Sequence, residues 1–332
     1  MEQAGTTVLV KDCIVDILSR TSPRDACRLS VVSSIFRSAA DSDSVWERFL
    51  PSDMQLILSS SVSPSLPNFS SKKQQFLYLC GNPLLIDNRA KTFVLEKCSG
   101  KKCYMIRAKE LSFNPLRDTL FFIQPSLPES RFSEVVELTA MNWFEIRGEM
   151  ETRWLSPNTT YVAYLVFKLA NNAEGFGYDP VEMSVRLASC GCCEHPQVKY
   201  VYLTTPKETT YEPPYENPWW PLPQWGVPEE SEAYSSGLSE ETEAYSWGVS
   251  EETDAYSSGL SEETEVYSWE VLKETEVPKK RGDGWMEIEM GEFFNERGDD
   301  GEVEMRLKEV KFPWWQRGLI VEGIELRPKE NQ

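Results

Sequence analysis

The apolar residues of this chain change their spacing once, near residue 93, and that change excludes any fold built from one class of element. Before it they recur at helical intervals. After it they alternate or run together over short stretches, as strand residues do. Ile14, Ile17 and Leu18 sit at helical spacing, and Leu29, Val32 and Phe36 continue an apolar stripe. Ser22 is placed to N-cap a new helix whose first position suits Pro23. Ser44 is placed to cap a further helix carrying Trp46, Phe49 and Leu50. Three helices this short bury too little surface to be stable alone, so they are predicted to need a partner or a neighbouring domain.

Residues 59–71 are rich in Ser and Pro and read as a loop, and Lys72 to Leu79 as one more helix. Strand signals then dominate. Residues 135–138, 143–146 and 198–202 are β-rich. Residues 161–167 are apolar at every position, which suits a strand buried on both faces. Met286, Ile288 and Met290 alternate with glutamates, and Val303, Met305 and Leu307 with Glu304 and Arg306, as in half-buried strands. Many short strands separated by Gly, Pro and Asn predict an antiparallel sandwich or jelly roll.

One segment breaks the pattern. Prolines mixed with Trp219, Trp220 and Trp225 lead into an 11-residue unit whose copies start at Glu229, Glu240, Glu251 and Glu262. Tyr234, Tyr245, Tyr256 and Tyr267 mark its register. Gly237, Gly248 and Gly259 each cost a helix about 1 kcal/mol relative to Ala. The apolar content is too low to offset an ordering entropy of roughly 1–2 kcal/mol per residue. A disordered acidic insertion is therefore expected, with a stacked solenoid as the alternative. Residues 229–277 hold fifteen carboxylates against Lys273, so they carry −14 of the −19 total charge. Nucleic acid and anionic membrane are not expected partners of a chain so charged.

The eight cysteines are scattered, and the opening Met1-Glu2-Gln3 resembles no secretory leader. Reduced thiols in the cytoplasm or nucleus are the expectation. His195 is the only histidine. The cluster Cys190, Cys192, Cys193 and His195 suggests zinc at first sight, but from one short loop four such side chains converge poorly, and thiols in a turn are the plainer reading. Gly175-x-Gly177 lacks the rest of a phosphate loop. Lys279-Lys280-Arg281 is a short basic run, either the edge of a domain or part of a nuclear import signal. No catalytic residue, metal or cofactor is expected.

Two sets of residues carry a family resemblance. Asp12 to Pro51, including Ile14-Val-Asp-Ile-Leu-Ser-Arg and Val45-Trp-Glu-Arg-Phe-Leu-Pro, resembles the F-box of plant F-box proteins in the phloem protein 2 (Nictaba-like lectin) group, PP2-B type. Leu127-Pro-Glu-Ser-Arg-Phe, Trp143-Phe-Glu-Ile-Arg-Gly, Leu155-Ser-Pro-Asn-Thr-Thr-Tyr, Asp283-Gly-Trp-Met-Glu-Ile and Gly318-Leu-Ile-Val-Glu-Gly resemble the lectin-like half of the same group. The resemblance implies an F-box that docks on a Skp-type adaptor, and through it on a cullin, while the second domain presents a target protein or glycoprotein.

On these positions the adaptor surface would use Leu9, Ile14, Ile17, Leu18, Leu29, Val32, Phe36 and Trp46. Such F-boxes usually open with Leu-Pro, where this chain has Leu9-Val10. Sugar-binding members carry two tryptophans, whose positions fall here on Pro115 and Phe122. That leaves Phe122 as the candidate carbohydrate contact, and favours a lectin fold reused to hold a protein. A nucleocytoplasmic carbohydrate-binding protein without a ligase role is the alternative. The expected class is α+β: an F-box at 1–55, a linker and helix at 56–100, a lectin-like sandwich at 101–206 and 282–328, and the insertion at 207–281.

Overall fold

The structure is a computed structural model. It describes residues 11–62, 67–115, 120–125, 127–140, 144–177, 180–188, 198–204, 276–298, 301–309 and 316–330, without the side chains of 114, 115, 120–125, 140 and 144. All of these fall in one compact unit, residues 1–207 with 274–332. The acidic repeats and the Cys190–His195 cluster lie outside the described residues.

The helical head contains α1 (residues 11–18), α2 (Pro23–Leu29), α3 (Ser34–Ala40), α4 (Asp43–Phe49), α5 (Met54–Ser59) and α6 (Lys72–Gly81). Ser22 caps α2 as its sequence suggests, accepting from Asp25 N at 3.1 Å, with Pro23 next in line. Ser33 and Ser71 cap α3 and α6 in the same way. The expected cap at Ser44 is displaced by two residues: α4 begins after Ser42, which makes no side-chain cap bond. Asp43 instead accepts from Lys72 N at 2.7 Å and ties α4 to α6.

The strands are β1 (Leu84–Ile86), β2 (Lys91–Leu95), β3 (Lys102–Arg107), β4 (Ser112–Pro115), β5 (Leu120–Pro125), β6 (Glu134–Ala140), β7 (Phe144–Glu151), β8 (Thr159–Glu174), β9 (Val181–Leu187), β10 (Val198–Val201), β11 (Lys279–Lys280), β12 (Met286–Asn295), β13 (Glu302–Glu309) and β14 (Arg317–Pro328). A nine-stranded sheet runs β1-β2-β3-β14-β8-β12-β11, with β6 and then β5 joined to β14. A five-stranded sheet runs β10-β9-β13-β7-β4. Every pairing is antiparallel.

Alternation builds the sandwich. On β13, Val303, Met305 and Leu307 are fully buried between the sheets, while Arg306 and Lys308 face outward. Glu322 is the extra residue of a bulge in β14, and at the next position, Gly323, a Cβ would stand 2.0 Å from the Ile106 carbonyl, so only glycine lets β14 and β3 pair.

The expectation that residues 161–167 are buried on both faces is met for a structural reason. Tyr161, Ala163, Leu165 and Phe167 enter the main core, which also includes Leu18, Trp46 and Phe76 of the head. On the opposite face Val166 joins Met105, Phe132, Val135, Trp285 and Ile320 in a second apolar cluster.

Two boundaries differ from the sequence reading. Residues 56–100, read as a linker and one helix, hold most of α5, all of α6 and the first two strands of the large sheet. Residues 279 and 280, assigned to the insertion, already pair with β12.

Candidate functional site

The helical head sorts its apolar residues into two sets. Ile14 and Leu18, four apart on α1, turn inward and are buried, whereas Ile17 between them stands 57% exposed. Val31 and Val32, at 75% and 65% exposure, form the turn between α2 and α3, and Ile35 at 38% follows on α3. Leu29 and Phe36 are half-buried against the core. Trp46 is sealed: its ring packs on Phe49 and Phe76 at centroid distances of 5.6 and 5.2 Å, and its Nε1 donates to the Ala40 carbonyl at 2.6 Å.

Of the eight residues expected to touch an adaptor, Ile14, Leu18 and Trp46 are buried in the main core that the head shares with the sheets. Ile17 and Val32 are at the surface, and Leu9 lies outside the described residues. Val31 and Ile35, which the sequence reading did not single out, are exposed as well, since helical spacing does not distinguish an outward apolar residue from an inward one.

The sandwich carries charge on both outer faces. On the small sheet, Arg147 and Arg186 bind Glu304 at 2.7 and 2.9 Å, and Arg306 binds Glu145 at 2.5 Å. On the large sheet, segment 127–132 crosses the second apolar cluster. Glu322, fully buried, fastens it by accepting from Ser130 Oγ at 3.0 Å and Arg131 N at 2.7 Å. Trp285 Nε1 donates to the Glu129 carbonyl at 3.3 Å, and Lys168 lies over the Trp285 ring.

Beside it Glu325 meets Arg131 at 2.7 Å and Arg281 at 2.6 Å. Glu287 joins Arg281 at 3.1 Å to Arg327 at 2.9 Å. Burial alone would raise the Glu325 carboxyl, but Arg131, Arg281 and Arg327 together outweigh it and hold it below the usual range. Arg281 is thus committed to the fold, while Lys279 and Lys280 beside it form the exposed edge strand β11.

Glu322 goes the other way. Burial raises its pKa, and its Oε2 has no partner. A carboxyl raised above its unfolded value near 4.3 favours folding below that value. The benefit is lost as pH climbs through the folded pKa. Glu322→Gln keeps an acceptor for Ser130 and Arg131 and cannot ionise. Its melting temperature should match wild type near pH 4 and exceed it at pH 7.5, as thermal unfolding across that range would register. A constant offset between the two proteins would contradict this.

Residues 9–48 match the family model for the F-box domain. Residues 101–328 match the model for Phloem protein 2, which spans both sheets from β3 to β14. The chain belongs to the phloem protein 2 family. F-box protein At2g02240 from Arabidopsis thaliana is 36% identical over 98% of this chain and 81% of its own length. F-box protein PP2-B10 of the same plant is 35% identical over 96% and 92%. F-box protein VBF, also from that plant, is 36% identical over 97% and 99%. A family 35 carbohydrate binding module from Clostridium thermocellum aligns at 8% identity over 68% of this chain and 96% of the module, with a TM-score of 0.29.

Within the phloem protein 2 domain, the two positions that the resemblance links to sugar fall in different sheets. Pro115 ends β4 of the small sheet, and Phe122 lies in β5 of the large one. Proline offers no aromatic ring at the first of them. Among the described residues no group of three or more metal-ligating side chains comes together, and no helix is long and apolar enough to cross a membrane.

Proposed function

We propose that this phloem protein 2 family member is the substrate-recognition subunit of a Skp-cullin-F-box type ubiquitin ligase, and is not itself an enzyme. Its head docks on a Skp-type adaptor, which links it to a cullin, and its phloem protein 2 domain holds the protein or glycoprotein to be modified, in the cytoplasm or nucleus.

One observation carries the reading. A head that buries Ile14, Leu18, Trp46 and Phe76 still exposes Ile17, Val31, Val32 and Ile35. Branched aliphatic residues held in water gain roughly 25 cal/mol per Å² on burial, and a docking partner supplies that burial. The F-box match over the same residues supports an adaptor as that partner.

A protein contact to the target is favoured over a sugar contact, because Pro115 removes one ring and Phe122 lies in the other sheet. The test is gel filtration of the full chain mixed with a Skp-type adaptor at micromolar concentration. Co-elution supports the receptor; separate elution rejects it.

A further inference from the structure

We propose that Lys102, through its bond to Asp53, is a positioning residue that joins the helical head and the sandwich into one rigid lever, so that the adaptor-docking face points in a fixed direction from the body. The significance for ubiquitin transfer rests on the receptor reading above; the joint itself does not.

The geometry around Lys102 assigns its two ends to two different parts. Its backbone belongs to the body: Lys102 N donates to Ser156 Oγ at 3.0 Å, and its carbonyl accepts from Tyr161 Oη at 2.9 Å. Tyr161 in turn accepts from Ser156 N at 2.9 Å, which closes a buried ring of bonds. Its ammonium belongs to the head, where Nζ reaches Asp53 Oδ2 at 3.0 Å. The lysine side chain is 7% exposed, so the pair is shielded on one side and little screened by salt.

Asp53 stands at the N-cap of α5, where an aspartate ordinarily accepts from its own helix. Here it makes no such bond, and its carboxylate serves Lys102 instead. A local bond has been exchanged for one that spans head and body.

A second contact lies close by. The turn between β2 and β3 enters the head, with Arg24 N donating to the Cys98 carbonyl at 3.4 Å. Gly100, at φ +74°, sits where a Cβ would come within 2.9 Å of the Phe49 carbonyl and 3.4 Å of the Phe76 ring. Two unlike devices, an ionic pair and a close backbone approach, thus hold the same seam.

The consequence is mechanical. A head tethered by a linker alone would open independently of the sheets. A head held by Lys102 and Gly100 opens only with them.

Amide hydrogen exchange on the full chain reads this directly. In wild type, amides of α4 and of the central part of β14 should show comparable protection. In Lys102→Met and in Asp53→Asn, α4 amides should exchange at least ten-fold faster relative to β14. The double variant should add less than the two single effects together, because either change alone already breaks the pair. Asp53→Asn, at a third-exposed site, serves if Lys102→Met fails to fold. Wild-type α4 exchanging orders of magnitude faster than β14 would overturn the proposal, as would variants that shift both elements by one factor. A wild-type chain that binds no adaptor rejects the receptor reading and leaves the exchange result standing.

Discussion

Val32→Asp should abolish adaptor binding while leaving the fold intact. Val32 is 65% exposed, so a carboxylate there stays hydrated in the free chain and costs little stability. Docking would strip that hydration. The effective penalty for burying an unpaired ion is several kcal/mol, and each 1.4 kcal/mol is a factor of ten in Kd. A loss of about 100-fold or more is therefore expected, and the same for Ile17→Asp, whose site is 57% exposed. Calorimetric titration of the full chain with a Skp-type adaptor measures it. Melting curves of both variants should overlay wild type. An unchanged Kd for both substitutions would mean that the adaptor, if bound, uses another surface.

Trp46→Ala should also lose the adaptor, but for a different reason. Trp46 is fully buried between Phe49 and Phe76, with Lys73 above its ring. Truncating a buried tryptophan costs about 3–5 kcal/mol. The Ala40 carbonyl, which now accepts from Nε1 at 2.6 Å, would lose its partner as well. At about 2–4 °C per kcal/mol for a domain of this size, the melting midpoint should fall by on the order of 10 °C. Circular dichroism at 222 nm tests this. The two substitutions separate a residue that meets the partner from one that shapes the surface: both weaken binding, and only Trp46→Ala lowers the midpoint. A Trp46→Ala protein that melts like wild type and still fails to bind would return Trp46 to the interface.

Much of this architecture was legible in local sequence. Ser22 and Pro23 mark the start of α2 because a cap bond is made within three residues. The unbroken apolar run at 161–167 marks a doubly covered strand, since strand side chains alternate faces and here both faces need burial. Met286, Ile288 and Met290, and likewise Val303, Met305 and Leu307, mark strands with one covered face by alternation alone. These signals depend on neighbours a few residues apart, so the chain carries them openly.

The choice of surface was not legible in that way. Ile14, Ile17 and Leu18 look alike along the chain; the core that receives the first and third, and leaves the second in water, includes strands as distant as β14. Trp46 resembles an anchor for a partner until Phe76 closes over it. Residues 56–100 read as a linker and one helix because the rest of their cue is long-range: Ile57, Leu84, Ile86 and Phe93 are buried in a core that also takes in Ile324 and Leu326 of β14. The sequence by itself determined the change from helices to strands, the start of α2 and the covered faces of strands such as β8 and β13, because period and capping act over a few residues. Only the tertiary structure decided which apolar side chains remain for a partner and how the head is seated, because burial and ion pairing depend on what the rest of the chain brings alongside.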